Sequence, residues 1–167
     1  EIMTLSQLEA GVDSLVMERF DITSLIMNTL QSSEILLSQN GIQIETIHTD
    51  QPMYVWGDEF KIEEVFRNYL SNAMNHAAGK KIITISLVSI DEKVRVCVHN
   101  TGEPIPEESI QHVWEKFYKV DKARTREYGG SGVGLSIVKA ILEAMNQNYG
   151  VTNMEDGVSF WFELDTK

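Results

Sequence analysis

Asn68, Asn72 and Asn75 recur at steps of four and three. On a helix that spacing sets three side-chain amides along one face. Asparagine is a poor helix former, so the stripe costs the helix roughly half a kcal/mol per residue. An amide oxygen is a hard ligand, of the kind that completes a magnesium shell shared with phosphates. A solvated helix face is the plainer reading of the same pattern. A second set is Asn100-Thr101-Gly102. Val94, Val96 and Val98 alternate onto one face of a strand, and Asn100 continues that face inward. A buried amide there needs a partner, because an unpaired one costs about 1–3 kcal/mol. Its oxygen suits the exocyclic amine of a base, and Gly102 lets the backbone approach a flat ring. A strand end turning at Asn-Thr-Gly, stiffened by Pro104 and Pro106, explains the same residues without a ligand.

The third set is the run Gly129-Gly130-Ser131-Gly132-Val133-Gly134-Leu135, which leads directly into an amphipathic helical pattern. Glycines ahead of a helix free backbone N–H groups to hold phosphate, and the helix dipole favours that charge. A Walker loop requires Lys after its last glycine, where Leu135 stands. The dinucleotide fingerprint needs a preceding strand, and the segment before the run does not read as one. A glycine-rich hinge is the alternative. Lys116, Lys119, Lys122, Arg124 and Arg126 fall within residues 115–127 against three acidic residues, in a chain of net charge −11. Such a basic segment could fold over a triphosphate as a lid, with Trp114, Phe117 and Tyr118 anchoring its base. A solvated charged face and ordinary core packing account for the same residues equally well.

Several elements must position these groups. Ile2 to Leu8 reads as a short helical stub, closed near Gly11. A helix then runs from an Asp21 N-cap, stapled by Phe20 on Leu25, to Gly41. Strands are predicted near Ile42 to Ile47 and Tyr54 to Trp56. From Asp58 to Ala77 the helical pattern is the clearest in the chain. A hairpin of Ile82 to Ile90 and Val94 to His99 turns at Asp91-Glu92-Lys93. A short acidic helix, a helix through Leu135, Val138, Leu142 and Met145, and strands near Tyr149 to Asn153 and Val158 to Leu164 complete the order. This order predicts an α+β two-layer sandwich, a mixed and largely antiparallel sheet packed on helices.

Composition sets limits. The 167 residues hold 25 Asp and Glu against 14 Lys and Arg, so nucleic acid and anionic lipid are poor partners. One cysteine, Cys97, excludes an internal disulfide framework. No apolar run approaches the ~20 residues of a membrane helix. The chain opens at Glu1, inside a helical pattern, and reads as a piece of a longer protein.

Taken in order, these motifs resemble the catalytic and ATP-binding domain of bacterial sensor histidine kinases, in the GHKL superfamily. Asn68-Tyr69-Leu70-Ser71-Asn72-Ala73 is similar to the N box, Asn100-Thr101-Gly102 to the first glycine box, and Glu115-Lys116-Phe117-Tyr118-Lys119-Val120-Asp121 to the F box. Gly130, Gly132 and Gly134 match the second glycine box, and Gly157 near Phe160 the third. Leu5-Ser6-Gln7-Leu8-Glu9 resembles the end of a preceding dimerisation helix, which sets residues 1–12 apart from an ATP-binding domain at 13–167.

The resemblance implies Mg-ATP bound between sheet and helices beneath a lid. Asn72 would ligate magnesium, and Asn68 would contact the metal or the phosphates. Gly132 and Gly134 would give amides to the phosphates, Asn100 would read the adenine amine, and Arg124 or Arg126 would stabilise the γ-phosphate. Asn75, His76, Gly102, Ile105, Phe117, Tyr118, Lys119, Gly130, Ser131, Val133 and Leu135 would line the nucleotide. Three departures bear on affinity: Asn100 replaces an Asp, Asn75 and His76 stand where Lys and an aromatic are usual, and Val158 follows Gly157 in place of Thr. None of His48, His76, His99 and His112 precedes an acidic residue, as the phosphoacceptor does. The acceptor is therefore expected upstream, on a dimerisation domain, with a response regulator as the next partner. The expected setting is the cytoplasmic part of a membrane-anchored homodimer, this piece itself being monomeric. Gyrase-like and mismatch-repair ATPases of the superfamily place a general-base Glu where Asn68 stands. A degenerate binding module is the remaining alternative.

Overall fold

The computed structural model describes residues 14–118 and 134–167. Readings that fall on the helical stub at Ile2 to Leu8, the domain boundary at residue 12, and the lid and glycine run at 119–133 lie outside the described residues.

The elements are β1 (Glu18–Asp21), α1 (Ile22–Ser32), α2 (Glu34–Gln39), β2 (Gln43–Ile47), β3 (Tyr54–Gly57), α3 (Glu59–His76), β4 (Ile82–Ile90), β5 (Lys93–Thr101), α4 (Glu107–Ile110), α5 (Gly134–Ala144), β6 (Tyr149–Met154) and β7 (Gly157–Asp165). Five strands form one sheet in the order β2-β4-β5-β7-β6. Its β2–β4 pair is parallel and the rest antiparallel, so the sheet is mixed as expected. One face packs on the helices. In β4 and β5 every second residue is buried, Ile83, Ile85 and Leu87 against Val94, Val96, Val98 and Asn100. The apolar stripe of α3, namely Ile62, Val65, Phe66, Tyr69, Leu70 and Ala73, covers that face. Tyr69 lies at the centre, fully buried against Phe160 and Phe162, and its hydroxyl donates to the Trp161 carbonyl at 3.0 Å. Burial pushes its phenol well above the ordinary value.

Two expectations are corrected. The helix from Asp21 to Gly41 is bent into α1 and α2 at Ser33. Thr29 Oγ1 donates to the Leu25 carbonyl and Ser32 Oγ to the Thr29 carbonyl, and such back-bonding hydroxyls bend helices. The turn of the β4–β5 hairpin has two residues, Asp91 and Glu92, because Lys93 already pairs with Ile90. A further strand, β1, pairs with β3 in a separate two-stranded sheet beside the main one.

Asp21 is the N-cap of α1. Its Oδ1 accepts from the N–H groups of Thr23 and Met53, and its Oδ2 from the Ser24 hydroxyl. Burial pushes the carboxyl up, but these hydrogen bonds outweigh it and hold it below the ordinary carboxylate range. Asp165, bonded by Lys93 and Gln147, is lowered as well. A depressed folded pKa adds stability that is present above the unfolded value and lost as pH falls through the folded one. Asp21→Asn is therefore expected to lose less stability than the wild type between pH 7 and pH 3, measured by urea unfolding. Parallel losses in the two proteins would refute the assignment.

Candidate functional site

The C-terminal half of α3 carries Asn68, Asn72, Asn75 and His76, all half-buried rather than on the exposed face with Arg67 and Ser71. Asn68 Nδ2 donates to the Glu64 carbonyl at 3.0 Å, which fixes the amide plane. Its Oδ1 then faces the first residue of α5: a Cβ built on Gly134 would stand 2.9 Å from it. Glycine at 134 lets α5 start this close to α3, and a methyl group there would require the Asn68 amide to shift. Leu135 follows, half-buried against the core.

The end of α3 is sewn to the end of β5. Thr101 Oγ1 donates to the Ala78 carbonyl and accepts from the Ile82 N–H, while the Ala78 N–H donates to the Thr101 carbonyl. Gly102 has φ +147°, and a Cβ there would lie 2.9 Å from the His76 carbonyl oxygen. Asn100 is 2% exposed and its Nδ2 donates to the Thr101 carbonyl at 3.0 Å. Gly157 opens β7 directly beside it, where a Cβ would fall 1.9 Å from the Asn100 carbonyl oxygen.

Four segments widely spaced in the sequence are therefore in contact, the asparagine face of α3, the Asn100–Gly102 turn, the start of α5 and Gly157. Beyond Gly102, the described residues 103–118 include α4 and the turns that follow it. Ile105 is half-buried, and Trp114 packs edge-on against Tyr149 and Phe160 at 4.8 and 5.7 Å between ring centroids. Trp114 is thus a partly buried anchor packed against the core. Tyr118 is held by its hydroxyl to Ser109 Oγ at 2.9 Å and stacks on His112. Phe117 differs, being 64% exposed with φ 68° and its ring near Lys116 Nζ. The expected site residues Lys119, Arg124, Arg126, Gly130, Ser131, Gly132 and Val133 lie outside the described residues.

The residues present suit a nucleotide with its metal. Gly102 and Gly134 let their segments approach α3 to contact distance. The amides of Asn68 and Asn100 each have Nδ2 bound to a backbone carbonyl, which leaves an amide oxygen of the hard kind a nucleotide-bound metal or a base amine takes. Among the described residues no cluster of three or more His, Cys, Asp or Glu side chains could hold a metal ion, and no helix is long and apolar enough to cross a membrane. The residues that direct reading of motifs passed over are Asn153, whose side-chain amide bonds the Ile105 backbone, and Asp156, whose carbonyl accepts from the Gly102 N–H. No local spacing signals them.

The family model of histidine kinase-, DNA gyrase B- and HSP90-like ATPases matches residues 57–167. The chain belongs to this ATPase family. The sensor histidine kinase CusS of Escherichia coli O157:H7 is 32% identical over 127 residues, 76% of this chain and 26% of that protein. The sensor protein VanSB of Enterococcus faecalis is 31% identical over 166 residues, 98% of this chain and 36% of that protein. This chain thus spans about a quarter to a third of the length of such curated relatives. Among solved structures, a catalytic domain of the histidine kinase ThkA superposes with a TM-score of 0.81 at 27% identity, covering 91% of this chain and 97% of that one. A structure of ThkA in complex with the response regulator TrrA gives a TM-score of 0.77 at 27% identity, over 98% of this chain and 48% of that one. The family's fold is the α+β sandwich described above.

Proposed function

We propose that the chain is the ATP-binding catalytic domain of a sensor histidine kinase, transferring the γ-phosphoryl group of ATP to a histidine on an upstream dimerisation domain, for relay to a response regulator. The observation that carries this reading is the contact of Asn68 with Gly134, His76 with Gly102 and Asn100 with Gly157, which brings the asparagine face of α3 together with three glycines from distant parts of the chain. The names of the relatives support it.

On this reading the Asn100 amide oxygen accepts from the adenine amine, and Gly102 and Ile105 flank the base. Asn72 is the magnesium ligand, and Asn68 holds the metal or the phosphates. The N–H groups at Gly132 and Gly134 receive the phosphates, with Asn75, His76 and the residues around Leu135 beside them. Phe117, Tyr118 and Lys119 lead into a lid whose Arg124 or Arg126 neutralises the γ-phosphate. A magnesium ion shared with the phosphates would supply charge neutralisation for phosphoryl transfer. The chain's own contribution is orientation and the exclusion of water. The whole protein is proposed to be a membrane-anchored homodimer with this domain in the cytoplasm.

Asn68 sits where the gyrase-like ATPases carry a general-base carboxylate, so autonomous hydrolysis is disfavoured. Calorimetry is expected to show ATP binding that depends on magnesium. Adding the upstream helical segment of the natural protein should then yield acid-labile, base-stable labelled phosphohistidine. Multiple-turnover phosphate release by the isolated chain, with no labelled histidine, would overturn the kinase reading in favour of an ATPase.

A further inference from the structure

Pro104 and Pro106 have no N–H, so Ile105 carries the one backbone donor within residues 104–106. Both of its polar backbone groups go to a single side chain 48 residues away. The Ile105 N–H donates to Asn153 Oδ1 at 2.9 Å, and Asn153 Nδ2 donates to the Ile105 carbonyl at 2.8 Å. An amide matched to a peptide in this two-point way fixes both the distance and the orientation of the segment it holds. The same β6–β7 hairpin grips the other end of the loop. The Gly102 N–H donates to the Asp156 carbonyl at 3.1 Å, and Gly157 abuts Asn100. Asp156 is itself paired through Oδ1 with His99 Nε2 at 3.0 Å. The loop 102–106 is thus clamped to the β6–β7 hairpin at Gly102 and at Ile105, on the Asn100 side of the site.

We propose that Asn153 is a positioning residue for the nucleotide, acting through Ile105 to hold the 102–106 loop against the nucleoside and leaving the phosphate side untouched. This rests on the functional reading above. A purely structural role for Asn153 would weaken every part of the ligand alike, whereas a positioning role separates the base from the phosphates.

The test is a pair of titrations of the chain, one with Mg·ATP and one with Mg·tripolyphosphate, on wild type, Asn153→Ala and Asn153→Ser. Asn153→Ala is expected to bind ATP roughly three- to tenfold more weakly, the scale of one or two lost neutral hydrogen bonds, with tripolyphosphate binding unchanged. Asn153→Ser, which keeps a polar group but loses the reach and the two-atom match of the amide, should fall between, and reports the same split should the alanine variant fold poorly. Equal weakening of both ligands, or no change in either while wild type binds ATP, overturns the proposal. A wild-type chain that binds no ATP overturns the functional reading itself and the proposal with it.

Discussion

A Gly157→Ala substitution is expected to lower the melting temperature by roughly 6–12 °C and to abolish nucleotide binding. The added methyl would stand 1.9 Å from the Asn100 carbonyl oxygen, 2.9 Å from its carbonyl carbon and 3.0 Å from the Thr101 Cα. All three are backbone atoms, so no side chain can swing aside. Relief requires β5 and β7 to part at the Thr101–Gly157 pair, at the junction where the Asn100 turn is built. Overpacking of this kind costs about 1–3 kcal/mol, and a backbone clash lies at the upper end. For a chain of this size each kcal/mol moves the midpoint by about 2–4 °C. Gly79→Ala is the control. It has φ +67° but nothing within 4 Å of the new Cβ, so only the left-handed backbone penalty of about 1–2 kcal/mol applies. Circular dichroism melts of the two variants decide the matter, and a Gly157→Ala protein as stable as Gly79→Ala would refute the contact.

The second large effect is on binding without loss of fold. Asn72→Ala is expected to weaken Mg·ATP binding by on the order of ten- to a hundredfold, the scale of a lost interaction with a charged group. Its melting temperature should hold or rise. Asn72 is half-buried at the edge of the α3 stripe, outside the apolar core, and alanine is the better helix former by about half a kcal/mol. A residue that costs its helix stability and improves ligand affinity is one retained for function. The opposite outcome, unchanged binding with a lower midpoint, would make Asn72 a structural residue and remove it from the metal role.

Much of this arrangement was legible from local pattern. The period of α3 predicted a helix from Asp58 to Ala77, one residue beyond the observed Glu59–His76 at each end, because one unbroken face of Ile62, Val65, Phe66, Tyr69 and Leu70 must be buried. The alternation through Val94, Val96 and Val98 placed Asn100 inward, where it is found. Most of what escaped depends on partners distant along the chain. Glu18–Asp21 has too few apolar residues to read as a strand and is ordered by pairing with Tyr54–Gly57. The bend at Ser33 comes from the Thr29 and Ser32 hydroxyls turning back on helical carbonyls, whereas the Ser24 hydroxyl of the same helix goes to the Asp21 carboxylate, a choice that residue type alone does not reveal. Asn153 reads as an ordinary polar residue near a strand end until the loop bearing Ile105 is folded against it. Gly157 was recognisable by its motif, but not the reason for it, the Asn100 backbone pressed against its α-carbon.

The most direct test is an NMR titration of the chain with a magnesium complex of a non-hydrolysable ATP analogue. The side-chain amides of Asn68, Asn72 and Asn100 and the backbone amides of Gly102, Ile105 and Gly134 are expected to shift together along one saturation curve, while Thr84 and Cys97 on the opposite sheet face stay fixed. Shifts confined to a different surface, or asparagine amides that do not respond at saturation, would contradict a single nucleotide crevice at this end of the sheet.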